Sequence, residues 1–229
     1  MNRYTPKTTT AAGDEGIPSA KAAEQLPSTM PTTPRSSLDD RLAFLRAFLR
    51  SPRGVGSVVP SSRFLERRLV ALSAVASART IVELGPGTGG TTRAILRAMP
   101  KQARLLCIEI DPQLHGLLRR IQDPRLIVHR GSAEQLQEIL SRYGLPAPDV
   151  VISGIPFSTM DRTLGRRILD GLSAVLTHGG LFVAYQLRGR VAQLCSPPLE
   201  LTGVELELLN VPPMRLFRWR KNGVRTHPE

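Results

Sequence analysis

The stretch Val-Glu-Leu-Gly-Pro-Gly-Thr-Gly-Gly, residues 82–90, combines three glycine turns with a carboxylate. Gly85, Gly87 and Gly89 let the backbone turn tightly and let a ligand approach it closely. A helix follows, and its N-terminal end is positive. Gly85, Gly87 and Gly90 also fit the dinucleotide fingerprint, so a nicotinamide nucleotide is one candidate ligand. Glu83 weighs against it, because a carboxylate beside the loop repels a pyrophosphate and suits a cation. S-adenosylmethionine carries an ammonium and a sulfonium and no phosphate. Glu109, in Cys-Ile-Glu-Ile-Asp, can accept hydrogen bonds from both ribose hydroxyls, which either nucleotide offers. The bland alternative is an ordinary tight turn with a solvated strand-end carboxylate.

A second constellation lies at residues 149–157, Asp-Val-Val-Ile-Ser-Gly-Ile-Pro-Phe. In many enzymes that methylate nitrogen, such a strand ends in Asn or Asp, then Pro and an aromatic. Here Gly154 stands in the Asn position. The Ile155 carbonyl can accept a hydrogen bond from an amine, with Pro156 fixing its direction. Phe157 either offers a ring face to a methylated cation or packs in the core. Tyr185, in Phe-Val-Ala-Tyr-Gln, is a candidate base or a strand aromatic. Gln186, Arg188 and Arg190 follow it; the arginines either grip a substrate phosphate or form a solvated basic loop. Ser132 meets an adenine amine or caps a helix, and Glu134 could do the adenine task instead. Ser61 and Ser62 bind the cofactor's amino-acid end or cap the next helix. His115 has no evident partner and reads as structural. Trp219, among Arg218, Arg220 and Lys221, anchors an interface or finishes an edge strand.

These residues need a scaffold that brings strand ends together. Strands Thr-Ile-Val-Glu-Leu-Gly, Arg-Leu-Leu-Cys-Ile-Glu-Ile, Arg-Leu-Ile-Val-His-Arg, Asp-Val-Val-Ile-Ser-Gly and Gly-Leu-Phe-Val-Ala-Tyr-Gln alternate with helical stretches. Such alternation predicts an α/β fold, a doubly wound and mostly parallel sheet. Ligands then sit at the carboxyl ends of the strands. Two further strands around Val-Pro-Pro predict an antiparallel C-terminal hairpin, making seven strands.

Residues 1–36 are rich in Thr, Pro, Ser and Ala and read as a disordered tail. Residues 37–60 are expected to begin with an amphipathic helix. Leu38, Leu42, Leu45 and Leu49 share one face, Phe48 lies beside it, and Arg41, Arg46 and Arg50 lie opposite. Residues 61–229 are expected to form the catalytic domain. The 229-residue chain carries a net charge of +12. The tail is nearly neutral, so the basicity belongs to the remainder and favours a polyanionic partner. Aromatics are only 4%, which leaves little material for stacking nucleic-acid bases. Two cysteines make no disulfide framework or metal pattern. No apolar stretch reaches spanning length, so a cytoplasmic, peripheral protein is expected.

Ser-Pro-Arg-Gly-Val-Gly-Ser-Val-Val-Pro-Ser-Ser, the glycine loop, Ser-Gly-Ile-Pro-Phe and Asn-Val-Pro-Pro-Met-Arg-Leu-Phe-Arg-Trp together resemble the bacterial phospholipid N-methyltransferases. The likeness spans residues 38–221. It implies a class I methyltransferase fold, Rossmann-like, with S-adenosylmethionine as cofactor and S-adenosylhomocysteine as product. It implies cofactor contacts from Ser61, Ser62, Glu83, Gly85, Gly87, Gly89, Glu109, Ile110, Ser132, Ala133 and Ser153, and no metal. It implies methylation of a membrane aminolipid, phosphatidylethanolamine towards phosphatidylcholine, or ornithine lipid. The partners it implies are an anionic membrane surface and the aminolipid; nucleic acid is not expected, and the chain is expected to be a monomer. The N-terminal helix would bind anionic lipid and cover the cofactor, or pack as an ordinary core helix. The rival enzyme is an RNA adenine methyltransferase, favoured by charge and opposed by the missing Asn. The rival non-enzyme is a membrane-binding protein that retains the cofactor.

Overall fold

A computed structural model of the chain describes residues 62–210 and 212–222. The expected tail, the amphipathic helix, the covering segment and Ser61 lie outside the described residues. Helices α1 (Arg63–Leu72), α2 (Gly90–Ala98), α3 (Pro112–Leu118), α4 (Leu136–Arg142), α5 (Arg162–Val175) and α6 (Arg190–Leu194) surround one sheet. Its strands are β1 (Thr80–Leu84), β2 (Arg104–Glu109), β3 (Leu126–Arg130), β4 (Val150–Ser153), β5 (Leu181–Gln186), β6 (Leu199–Glu207) and β7 (Met214–Lys221).

The strand order is β3-β2-β1-β4-β5-β7-β6. Strands β1 to β5 are parallel, while β7 runs antiparallel to both β5 and β6. The expected doubly wound, seven-stranded sheet with an antiparallel hairpin is present. The physical reason is plain in β1 and β4, which are buried at every residue. A strand covered on both faces needs a continuous apolar run. One core lies where α4, α5 and α6 pack, centred on Val82, Leu106, Val151 and Phe182. The opposite core gathers Leu65 and Leu69 of α1 and Ile95 of α2 against Ile81, Leu105 and Val183.

Caps set where chain segments leave the carboxyl end of the sheet. Asp111 Oδ1 accepts the Gln113 and Leu114 N–H groups at 2.8 and 3.0 Å, and Pro112 occupies the first helical position of α3. Asp161 Oδ1 accepts the Thr163 and Leu164 N–H groups at the start of α5. Ser62 Oγ accepts the Leu65 N–H at 3.2 Å and caps α1. The Ser62 N–H itself donates to Asn210 Oδ1 at 2.9 Å. Asn210 Nδ2 closes its own turn on the Pro212 carbonyl at 2.8 Å.

One expectation needs correcting here. Trp219 neither anchors an interface nor finishes an edge strand. It is 1% exposed and stacks on Phe182, with ring centroids 4.9 Å apart, and on Phe217. Strand alternation points Arg218 and Arg220 away from its face, and β7 lies inside the sheet between β5 and β6. The first of the two strands expected around Val-Pro-Pro is long, starting at Leu199, and Pro212 and Pro213 lie in the turn after it. Its Glu200 and Thr202 are exposed because β6 is the edge.

Candidate active site

The glycine loop links the end of β1 to α2 at the carboxyl end of the sheet. Gly85, Gly87 and Gly89 all have positive φ, at 67°, 61° and 82°. At Gly87 an added Cβ would meet nothing within 4 Å. The residue is therefore required for its left-handed backbone, and the space above it is open.

Glu83 is fully buried under this loop. Its Oε2 accepts hydrogen bonds from Thr92 Oγ1 at 2.6 Å and from the Cys107 thiol at 3.3 Å. Its Oε1 has no hydrogen-bond partner among the described residues. Burial, and more weakly the charge of Glu109, lifts the carboxyl to about 7 against the pull of those two donors. Glu109, also buried, accepts the Gly87 N–H at 3.2 Å with Oε2 and the Asp111 N–H at 2.9 Å with Oε1. Burial lifts it to about 7 as well, opposed by the N–H groups of Asp111 and Gly87. A carboxylate has about four lone-pair sites, so Glu109 can hold the glycine loop and still accept ribose hydroxyls. An orphaned, buried carboxylate oxygen beside an open glycine turn fits the ammonium of S-adenosylmethionine. It fits a pyrophosphate badly.

The acceptor side lies between β4 and β5. Gly154 N–H donates to the Leu84 carbonyl, so this loop and the glycine loop touch. A Cβ on Gly154 would stand 2.2 Å from the Tyr185 hydroxyl oxygen and 2.7 Å from the Gly85 carbonyl oxygen. Gly154 is a glycine because Tyr185 fills the space a side chain would need. The Tyr185 hydroxyl hydrogen-bonds the Thr91 side chain, and burial followed by the nearby Glu83 charge pushes its pKa well above the ordinary tyrosine value. Tyr185 is thus a neutral phenol at physiological pH. It can accept a hydrogen bond from an amine, and its raised pKa disfavours the ionised form that a base would need.

Two further expectations change. The Ile155 carbonyl accepts the Phe157 N–H at 2.9 Å and Gln186 Nε2 at 2.7 Å. Both lone pairs are used, so it has none left for a substrate amine in this conformation. Gln186 is buried and holds the loop through that carbonyl, rather than reaching out to substrate. Phe157 is fully buried in the core against α5, where its ring comes near Gly165, and presents no open face. Its N–H closes a tight turn over Pro156 that aims the side chain inward.

The remaining site residues are placed as follows. Ser153 is buried, and its Oγ accepts the Ile155 N–H at 3.2 Å. Ile110 follows Glu109 at the end of β2, half-buried. Ser132 caps the 3-10 turn Ala133–Gln135 through the Glu134 N–H and also donates to Glu134 Oε2. Ala133 is buried in that turn. Glu134 is paired with Arg167 at 3.0 Å, which restricts it as an adenine acceptor. Arg190 donates to the Ser158 carbonyl at 3.1 Å, and Arg188 is exposed. Among the described residues no cluster of His, Cys, Asp and Glu could hold a metal. Sequence reasoning passed over Thr91, Thr92 and Cys107. The Thr-Thr pair directly after the loop was the available signal, since the first turn of α2 faces the strand ends.

No family model matches the chain. The ornithine lipid N-methyltransferase of Singulisphaera acidiphila is 31% identical over 147 residues, covering 63% of this chain and 77% of that protein. The chain belongs to its family. It is therefore an S-adenosylmethionine-dependent methyltransferase. A ribosomal RNA small subunit methyltransferase A, from Phenylobacterium zucineum, is also 31% identical, but over 96 residues and only 32% of its own length. The family's fold recurs in the N-methyltransferase NodS of Bradyrhizobium japonicum WM9. NodS matches at a TM-score of 0.57 and 16% identity over 71% of this chain and 98% of its own. NodS has also been seen in complex with S-adenosyl-L-homocysteine. TrmN of Thermus thermophilus matches at a TM-score of 0.60, with this chain spanning 48% of it.

One prediction belongs to the acceptor loop. Gln186→Leu leaves the Ile155 carbonyl with the Phe157 N–H alone and should cost about 1–2 kcal/mol of stability. The urea midpoint should fall, and methyl transfer should drop while cofactor affinity holds.

Proposed function

We propose that this chain methylates the head-group amine of a membrane aminolipid. Ornithine lipid is the first candidate, given the name of its Singulisphaera relative. Phosphatidylethanolamine and its methylated forms, towards phosphatidylcholine, are the second. The observation that carries the reading is the Gly154–Tyr185 contact. An Asn at the end of this strand would suit a planar base amine. Here its place is taken by a neutral phenol, which offers one oxygen to a flexible alkyl amine.

S-adenosylmethionine supplies an electrophilic methyl group on a sulfonium. The residues of the chain position and shield. Glu83 and Glu109 would hold the cofactor's cationic and ribose ends, and the left-handed glycines would keep the backbone out of its way. Tyr185, fixed by Thr91 and Gly154, orients the amine lone pair. The Ser153–Phe157 turn, held by Gln186, forms the dry wall beside it. No helix among the described residues is long and apolar enough to cross a membrane. The chain would act as a monomer, associated peripherally with the cytoplasmic face of the inner membrane.

The test is incubation with labelled S-adenosylmethionine and vesicles containing ornithine lipid or phosphatidylethanolamine, with products read by mass. The expected result is a lipid gaining one to three methyl increments. Label in a ribosomal RNA transcript and in no lipid would replace this reading with the RNA one.

A further inference from the structure

Strand β6 runs parallel to β5, so the turn from β6 to β7 projects from the same end of the sheet as Glu83, Gly154 and Tyr185. That turn is unusually apolar for a loop tip. Leu208 is 65% exposed and Leu209 61%, with Leu206 half-exposed at the end of β6. Single exposed leucines are unremarkable, but three within four residues at one tip form a patch. Arg215 lies beside it, while Glu205 and Glu207, which alternate with the leucines, are paired with Arg68 of α1. Arg215 pairs across strands with Leu206 on one side and Gln186 on the other. Its guanidinium reaches within 3.7 Å of where a Gly189 Cβ would stand, between Arg188 and Arg190 in sequence. Asn210, in the same turn, holds Ser62 at the start of α1. The tip is thus braced rather than loose.

We propose that this tip seats the enzyme on an anionic bilayer, the leucines entering the interfacial layer and Arg188, Arg190 and Arg215 meeting lipid phosphates. The inference deepens the aminolipid reading and rests on it. A lipid amine cannot travel far from its membrane, so the opening at the strand ends must face the surface. Charge complementarity selects the occupant. A net charge of +12 opposes docking a second basic copy here and favours an anionic surface. Apolar side chains with flanking arginines are the pattern that binds such an interface reversibly.

The test uses the full chain with vesicles of phosphatidylglycerol and phosphatidylcholine. The double variant Leu208→Ser/Leu209→Ser should partition about tenfold more weakly than wild type. Leu201→Ser, an exposed leucine on β6 away from the tip, should partition normally. Unchanged cofactor affinity by calorimetry confirms that each variant is folded. As a direct probe, the Leu208→Trp variant should shift its emission to the blue on adding vesicles, over the constant signal of buried Trp219. Normal partitioning of the double variant would overturn the proposal. So would emission from the Leu208→Trp variant that is already shifted without vesicles. Concentration dependence would then assign the tip to a second copy, and its absence to residues 37–61 of the same chain. The two readings fail separately. Lipid methylation with a silent tip sinks only the tip, whereas an inserting tip with no lipid product sinks the aminolipid substrate.

Discussion

Glu83→Gln is expected to weaken S-adenosylmethionine binding at pH 8 by roughly a hundredfold, as measured by calorimetry. The carboxylate is fully buried, and one oxygen has no partner among the described residues. Removing one member of a buried charge pair costs about 2–5 kcal/mol, and a hundredfold is about 2.8 kcal/mol. The wild type should show a matching pH dependence. In the free protein the carboxyl titrates near 7 because burial opposes its charge. Pairing with an ammonium requires the ionised form and pulls that value down. Affinity should therefore climb as pH rises to about 7 and level off above it, with proton release on binding below that point. Stability of the free protein runs the other way. A carboxyl raised from its ordinary 4.5 to about 7 is more readily protonated when folded. The cofactor-free chain therefore loses stability as pH rises across that window, and the variant should lose less. Near-normal affinity in Glu83→Gln would refute the assigned loop.

Gly154→Ala should cost about 2–3 kcal/mol of stability and lower methyl transfer roughly a hundredfold. The new methyl would meet the Tyr185 hydroxyl at 2.2 Å and its ring carbon at 2.7 Å, so the tyrosine must leave its position. Tyr185→Phe does not relieve the clash, because the ring carbon remains. Tyr185→Ala does, and adding it to Gly154→Ala should recover part of the lost stability. Recovery stays partial because the Gly85 carbonyl, at 2.7 Å, belongs to the backbone. The two substitutions should therefore be strongly non-additive in urea denaturation. Simple additivity would show that the two residues do not share the space.

How much of this was legible in sequence depends on whether the cause was local. The parallel strands were, because burial on both faces writes a run such as Val-Val-Ile-Ser. The glycine loop was, because three left-handed turns in five residues admit few substitutes. Helix α6 was not, since five residues carry too little periodicity to declare themselves. Trp219 misled through its neighbours, since arginines on either side in sequence point to the opposite face in a strand. The reason for Gly154 was out of reach, because it is the hydroxyl of Tyr185, on the neighbouring strand. Gln186 was placed near substrate by its position, yet its amide is spent on the Ile155 carbonyl.

The bond between Ser62 and Asn210 joins residues 148 apart in sequence. On the ribosome the glycine loop, the acceptor turn and Tyr185 all emerge before β6 and β7 exist. Until the last two strands arrive, β5 keeps an open edge and the start of α1 lacks its brace. Synthesis itself thus acts as a timer. In the half-made chain the residues of the cofactor cradle are already present, but the brace on α1 and the partner for β5 come only with the final hairpin.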